Sequence, residues 1–157
     1  MYTIRQFRPD DHQTIREITA EAFDGVSIDQ GIENEFGQVN GRSGQGRQKR
    51  HGDVDVARDP AGIFVAENED GELVGAISTW CDHDAGTGHI PNLVIASGYR
   101  GQGIGRALIH HALDRFRSEG LTHARIETLV QNEVGRGLYQ SVGFREVARQ
   151  IHFAMEL

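Results

Sequence analysis

Apolar and polar positions alternate through YTIRQFR (2–8), the two-residue period of a half-buried strand. From Pro9-Asp10-Asp11 onward the period lengthens, and Ile15, Ile18 and Ala22 recur on one helical face with Asp10 as the N-cap. The pattern weakens from Asp24 to Glu35, where a short second helix would carry Asp24, Asp29, Glu33 and Glu35. GQVNGRSGQGRQKRHG (37–52) then interleaves five glycines with Arg42, Arg47, Lys49 and Arg50, a composition that predicts a flexible loop over about 37–60. GIFVAE (62–67), the Asp-Gly turn in NEDGE and ELVGAISTW (72–80) read as a hairpin. HIPNLVIA (89–96) is a further strand. Leu108, Ile109, Ala112, Leu113 and Phe116 mark a helix from about Gly103 to Ser118, ended by Gly120. HARIETLV (123–130) predicts a strand, and Asn132 caps a short helix through Tyr139. VGF (142–144) leads into a last strand, REVARQIHFAMEL. Hairpins followed by alternating strands and helices give an α+β, or mixed-sheet α/β, fold.

A length of 157 residues predicts one domain spanning 1–157. No apolar run is long enough to cross a bilayer, and the opening MYTIRQFRPDD lacks the apolar segment of a secretion signal, so the expected location is cytoplasmic. Cys81 is the only cysteine, which excludes an intrachain disulfide and a cysteine-only metal site. Of sixteen basic residues only Lys49 is lysine, a bias consistent with salt adaptation or with a GC-rich genome. The net charge of -7 argues against nucleic-acid binding; it suits a cationic substrate and is equally explained by solubility.

Against this acidic background stands YRGQGIGRALI (99–109), with glycines at 101, 103 and 105 between Arg100 and Arg106. A P-loop would need lysine where Ile104 follows Gly103, and the dinucleotide fingerprint would need glycine at Arg106 or Leu108. Both fail. What remains, Arg100-x-x-Gly103-x-Gly105 after a strand and at the mouth of a helix, resembles the acetyl-coenzyme A signature of the GNAT superfamily of N-acetyltransferases. A second block is similar to the same family: Asn132, Leu138-Tyr139 and Gly143-Phe144. The resemblance implies a mixed, mostly antiparallel central sheet with splayed central strands, flanked by about four helices. It also implies acetyl-CoA as co-substrate, with no metal. The diphosphate would lie on the turn formed by Arg100, Gly101, Gln102, Gly103, Ile104, Gly105 and Arg106, where backbone amides and a helix dipole make an anion site. The pantetheine arm would run along the backbone of Leu93, Val94 and Ile95. GRSGQGR, inside 41–50, repeats the look of the turn, but no convincing strand precedes it and no amphipathic helix follows, so it reads as a solvated loop or a substrate lid.

Acetyl transfer to an amine needs a deprotonated nucleophile, a polarised carbonyl and a proton for the departing thiolate. Tyr139 matches the family tyrosine that supplies that proton. Asn132 matches a position contacting the coenzyme arm, and it also suits the N-cap of its own helix. For the base, the resemblance to ribosomal-protein N-terminal acetyltransferases points to Glu127, twelve residues before Tyr139. Glu127 shares a strand face with Arg125, so an exposed ion pair and a water relay remain open beside the base role. Gly135 stands where the family usually has alanine, and with Gly137 it predicts a short or irregular helix around Tyr139. Cys81, Asp82, His83, Asp84 and His89 match no standard zinc spacing.

Only thirteen residues follow Phe144, too few for the long loop that covers peptides in N-terminal acetyltransferases. The expected acceptor is therefore a small-molecule amine, with a peptide or protein amine second and a non-catalytic CoA-binding module as the third reading. Cover for the site would then come from residues 24–60 or from a partner subunit. The alternating IHFAMEL suits either pairing across a homodimer or finishing the sheet.

Overall fold

The computed structural model describes residues 1–157. Five strands, β1 (Tyr2–Gln6), β2 (Ile63–Asn68), β3 (Leu73–Asp82), β4 (Thr87–Ile95) and β5 (His123–Ile126), form one sheet in the order β1-β2-β3-β4-β5. The first four pair antiparallel and β5 joins β4 in parallel. Six α-helices flank it: α1 (His12–Ala22), α2 (Ile28–Phe36), α3 (Gly44–Gln48), α4 (Arg50–Arg58), α5 (Ile104–Ser118) and α6 (Glu133–Val142).

Both faces of the sheet's middle are covered. On one, Ile77 of β3 and Ile90 of β4 pack with Leu108, Ile109, Ala112 and Phe116 of α5. On the other, Val65, Ala76 and Val94 meet Ile15 and Ile18 of α1. This explains why β2 reads as a continuous apolar run: four consecutive residues, Ile63 to Ala66, are buried. Gly88 of β4 is required by the same packing, because a Cβ there would lie 2.3 Å from the Phe116 ring.

Four expectations change. Residues 37–60 hold two helices, α3 and α4, rather than a loop; Ser43 caps α3 by accepting from the Gly46 amide, and Asp29 and Glu33 of α2 bind Arg47 and the Gly44 amide. Asp10 is not the cap of α1: a 3-10 turn spans Pro9–Asp11, and Asp11 instead binds the Arg5 guanidinium and the Arg8 amide. At the other end, β5 stops at Ile126, and residues 145–157 form no strand. Their alternation is present, but no edge of this chain pairs with it.

Candidate active site

The sheet opens where β4 bulges. Ser78 pairs with Asn92 and Trp80 with His89, so the single residue Thr79 of β3 faces two of β4, Ile90 and Pro91. Proline suits this position, having no N–H to lose. The ladder to β5 ends at the same level, with Ile90 opposite Ile126, while β4 continues to Ile95 bound to β3 alone. The Ala96 amide donates to Val74 O, and the Asn92 amide donates to the Ser78 hydroxyl. In an antiparallel ladder such bonds alternate, so residues 92, 94 and 96 turn their backbone towards β3. Leu93 and Ile95 turn theirs into the gap. Of the three residues expected to line the pantetheine path, Val94 is the exception: its backbone faces β3, and its side chain is buried in the α1-side core.

At the end of β4 the turn residues divide their labour. Gly101 and Gly103 hold φ of 75° and 81°, a region closed to most side chains, and a Cβ on either would meet nothing within 4 Å. The space above them is open. Gly105 serves differently: it lies within the first turn of α5, and a Cβ there would come 3.1 Å from Leu138 of α6. The amides of residues 100–103 donate to no acceptor of the chain, and the first amide of this segment with a partner is Ala107, bonded to Gly103 O at 3.0 Å. The first three amides of α5, from Ile104, Gly105 and Arg106, are free as at any helix start. Seven consecutive donors thus stand without a partner at one helix mouth. Arg100 reaches back to Ile95 O at 3.3 Å and Gln102 to Gly98 O at 3.3 Å. Arg106 points elsewhere, its guanidinium holding the Ser141 hydroxyl of α6 at 2.8 Å.

Across the gap, α6 is a regular helix of ten residues despite its two glycines. Asn132 caps it by accepting from the Gly135 amide at 3.1 Å, and its side-chain Nδ2 donates to the Thr128 hydroxyl. That cap accounts for glycine at 135: a Cβ there would sit 2.5 Å from the Asn132 side-chain nitrogen. Tyr139 follows Leu138 on this helix and packs edge-on against Phe144. Burial pushes its phenol above the ordinary value, so the hydroxyl keeps its proton through the neutral range.

Glu127 lies one residue beyond the last β4–β5 pair, at the start of the opening. It accepts from Arg125 at 3.0 Å, and both side chains are largely exposed. His89, paired in register with Arg125, stacks on Trp80 at 3.9 Å between ring centres. Burial, assisted by the Arg125 charge, lowers the His89 pKa, and the imidazole is neutral at physiological pH.

One feature of this face has no sequence signature. Asp55 of α4 is 7% exposed and accepts from the Ser78 hydroxyl at 2.5 Å and from the Asn92 side chain at 2.6 Å. It fastens α4 to β4 at the residue next to the bulge. No motif includes it, and the glycine- and arginine-rich composition around it hides the helix that carries it. Of the acidic residues between 24 and 35, Asp29 and Glu33 are engaged by α3 as described, and Asp29 also meets His51 at 3.1 Å. No three His, Cys, Asp or Glu side chains come together as a metal site.

A gap between two parallel strands, a run of free amides at the adjoining helix and a half-buried tyrosine on the helix packed against it can be compared with known proteins. The pattern of the acetyltransferase (GNAT) family matches residues 27–144. The chain is 35% identical over 86 residues to mycothiol acetyltransferase of Streptomyces avermitilis, an alignment covering 55% of this chain and 28% of that one. It is 36% identical over 88 residues to N-alpha-acetyltransferase 30 of Schizosaccharomyces pombe, covering 54% of this chain and 58% of the other. It thus spans well under two thirds of the length of these relatives. The solved structure of PaiA N-acetyltransferase from Thermoplasma acidophilum in complex with coenzyme A superposes with a TM-score of 0.71 at 21% identity, over 92% of this chain and 90% of that one. With the bulged strand, the open gap and the glycine turn in the same arrangement as the motifs imply, this chain belongs to the acetyltransferase (GNAT) family.

Proposed function

We propose that this protein moves the acetyl group of acetyl-CoA to a primary amine by direct transfer. The observation that carries the reading is the run of seven acceptorless amides from Arg100 to Arg106 beside the β4–β5 gap. These donors and the α5 dipole suit a diphosphate, and the left-handed Gly101 and Gly103 leave room for its oxygens. The net charge of the chain does not oppose this, because donors at contact distance outweigh charges screened beyond about 8–10 Å. The inward-facing backbone of Leu93 and Ile95 offers bonds to the pantetheine amides, and a β4 N–H near the bulge would stabilise the oxyanion that forms on the thioester carbonyl. Arg106 is assigned to helix packing and Asn132 first to capping.

Tyr139 gives its proton to the departing sulfur, a role that its raised pKa supports by keeping the donor loaded. Glu127, at the opening of the gap and bonded to Arg125, receives the proton of the attacking amine. Asp55 touches neither substrate in this reading; it is a positioning residue that fixes Asn92 and with it the bulged strand.

The proposed acceptor is a small-molecule amine. Residues 145–157 provide no second hairpin to cover a peptide. A peptide N-terminus is the second reading, favoured by the relative named N-alpha-acetyltransferase 30 and by the position of Glu127. The test has two arms. Calorimetry with coenzyme A should show binding that Gly103→Val abolishes. Free-thiol release from acetyl-CoA across a panel of polyamines, amino sugars and peptides should then single out the acceptor. Binding without turnover on every amine would replace the transferase with a binding module, and no binding at all would remove both.

A further inference from the structure

The sheet face turned away from α5 carries a row of side chains that the fold does not use. Cys81 of β3, Ile90 of β4 and Ala124 and Ile126 of β5 all pack into the core on the α5 side. Side chains alternate along a strand, so Trp80, His89, Arg125 and Glu127 stand together on the opposite face. Trp80 pairs in register with His89, and His89 with Arg125, which makes one row across three strands. Over its outer end lies Arg58, the last residue of α4, with its guanidinium 5.3 Å from the centre of the Trp80 ring.

This row is rich in donors without acceptors. Arg58 is in no ion pair and donates no hydrogen bond; only the Trp80 ring holds it. Trp80 and His89 are fixed by their stacking, and their ring nitrogens bond to no polar group of the chain. The two carboxylates that act on His89 are already engaged: Glu127 by Arg125 at 3.0 Å, and Asp82 by the Ala85 amide at 2.9 Å. In a chain of net charge -7, one unmatched cation is thus set on an aromatic stack. Beside it opens a cavity of about 240 Å³ that Trp80 and Arg115 also border. A guanidinium held by a ring face keeps its planar fork free for a carboxylate, which it can bind through two parallel N–H bonds.

We propose that this row selects the acceptor: the substrate is a primary amine that also carries a carboxylate, bound with the carboxylate on Arg58 and the amine towards Glu127. The place of the amine rests on the proposed reaction, whereas the carboxylate contact does not. Strands about 4.8 Å apart, with residues about 3.3 Å apart along them, put Trp80 and Glu127 about 12 Å from each other. Long side chains at both ends shorten the ligand's share to roughly 7–10 Å, the reach of an extended six-carbon amino acid. A diamine of the same length would bring a second cation against Arg58 and is rejected by it.

Trp80 is the only tryptophan of the chain, so its emission reports on the row directly. The probes are 6-aminohexanoate, hexylamine and 1,6-diaminohexane, which share a chain length and differ at the far end. Titrated against Trp80 emission, 6-aminohexanoate should bind about tenfold more tightly than hexylamine, with the diamine weakest. Arg58→Ala should erase that preference, Arg58→Lys should keep part of it, and Arg58→Glu should invert it in favour of the diamine. Arg58 is exposed at a helix end, so the circular dichroism spectra of all three variants should match the wild type. Equal binding of the three amines, no saturable change with any of them, or a preference that survives Arg58→Ala would overturn the proposal. Thiol release from acetyl-CoA, followed on the same samples, judges the transferase reading separately: a carboxylate preference without thiol release would remove the reaction and leave the binding site.

Discussion

The two halves of the sheet are built to different standards. From β1 to β4 the strands pair along their length, helices cover both faces, and Val65, Ala66, Leu108, Ile109 and Ala112 have no measurable exposure. From β5 onward the ladder shrinks to four pairs, α6 has only half-buried residues, and the chain runs out unpaired. The well-packed half supplies the glycine turn and the bulged strand; the sparsely packed half supplies Tyr139 and Glu127. In the proposed reaction, binding geometry therefore rests on the first and proton transfer on the second. Stability and turnover should separate along the same line.

The largest separation is expected at Tyr139. Tyr139→Phe should lower turnover by about 10²–10⁴-fold, the usual worth of a general acid, with the thermal midpoint nearly unchanged. An equal fall in both would mean that the ring is only a packing element. Leu108→Ala should do the opposite, costing about 2–5 kcal/mol in urea unfolding because its side chain is fully buried between β3 and α5. Asp55→Ala straddles the line. It orphans the Ser78 hydroxyl and the Asn92 amide, for a loss of about 2–4 kcal/mol, and it should raise the Michaelis constant by loosening β4. Glu127→Gln should lower turnover by about 10²-fold, the low end for a general base, with stability intact; unchanged turnover would hand its role to water. The smallest effect belongs to Asp11 in the rigid half. The Arg5 guanidinium holds its carboxyl below the ordinary value of 3.8, so its contribution is complete above that pH and fades as pH falls below it. Unfolding midpoints measured from pH 5 to pH 2 should show this fade, and Asp11→Asn should reduce it.

The same division governs how much could be read from the residues alone. β2, β3, β4 and α5 announce themselves because their apolar periods answer to a core inside this chain. The turn is equally legible, since only glycine tolerates the φ of positions 101 and 103. Gly105 misleads, as its small size answers to Leu138 rather than to a phosphate. α4 is invisible for a related reason: its buried residues are Gly52 and Asp55, so no apolar stripe marks the face that docks. Asp55 joins the site through Ser78 and Asn92, partners 23 and 37 residues away, and such contacts leave no local trace. Over residues 145–157 the alternation is clear, yet those residues form no strand within this chain. A period of two predicts a strand without naming the edge that receives it.

The seam between α5 and α6 has a further consequence. Leu138 rests on the carbon that Gly105 lacks, and one turn away Arg106 grasps Ser141, so the two helices are keyed at both ends of a short contact. In the proposed reaction the turn that holds the carrier and the helix that brings the proton are therefore kept at a fixed spacing by two contacts, so a change at either contact would reach both at once.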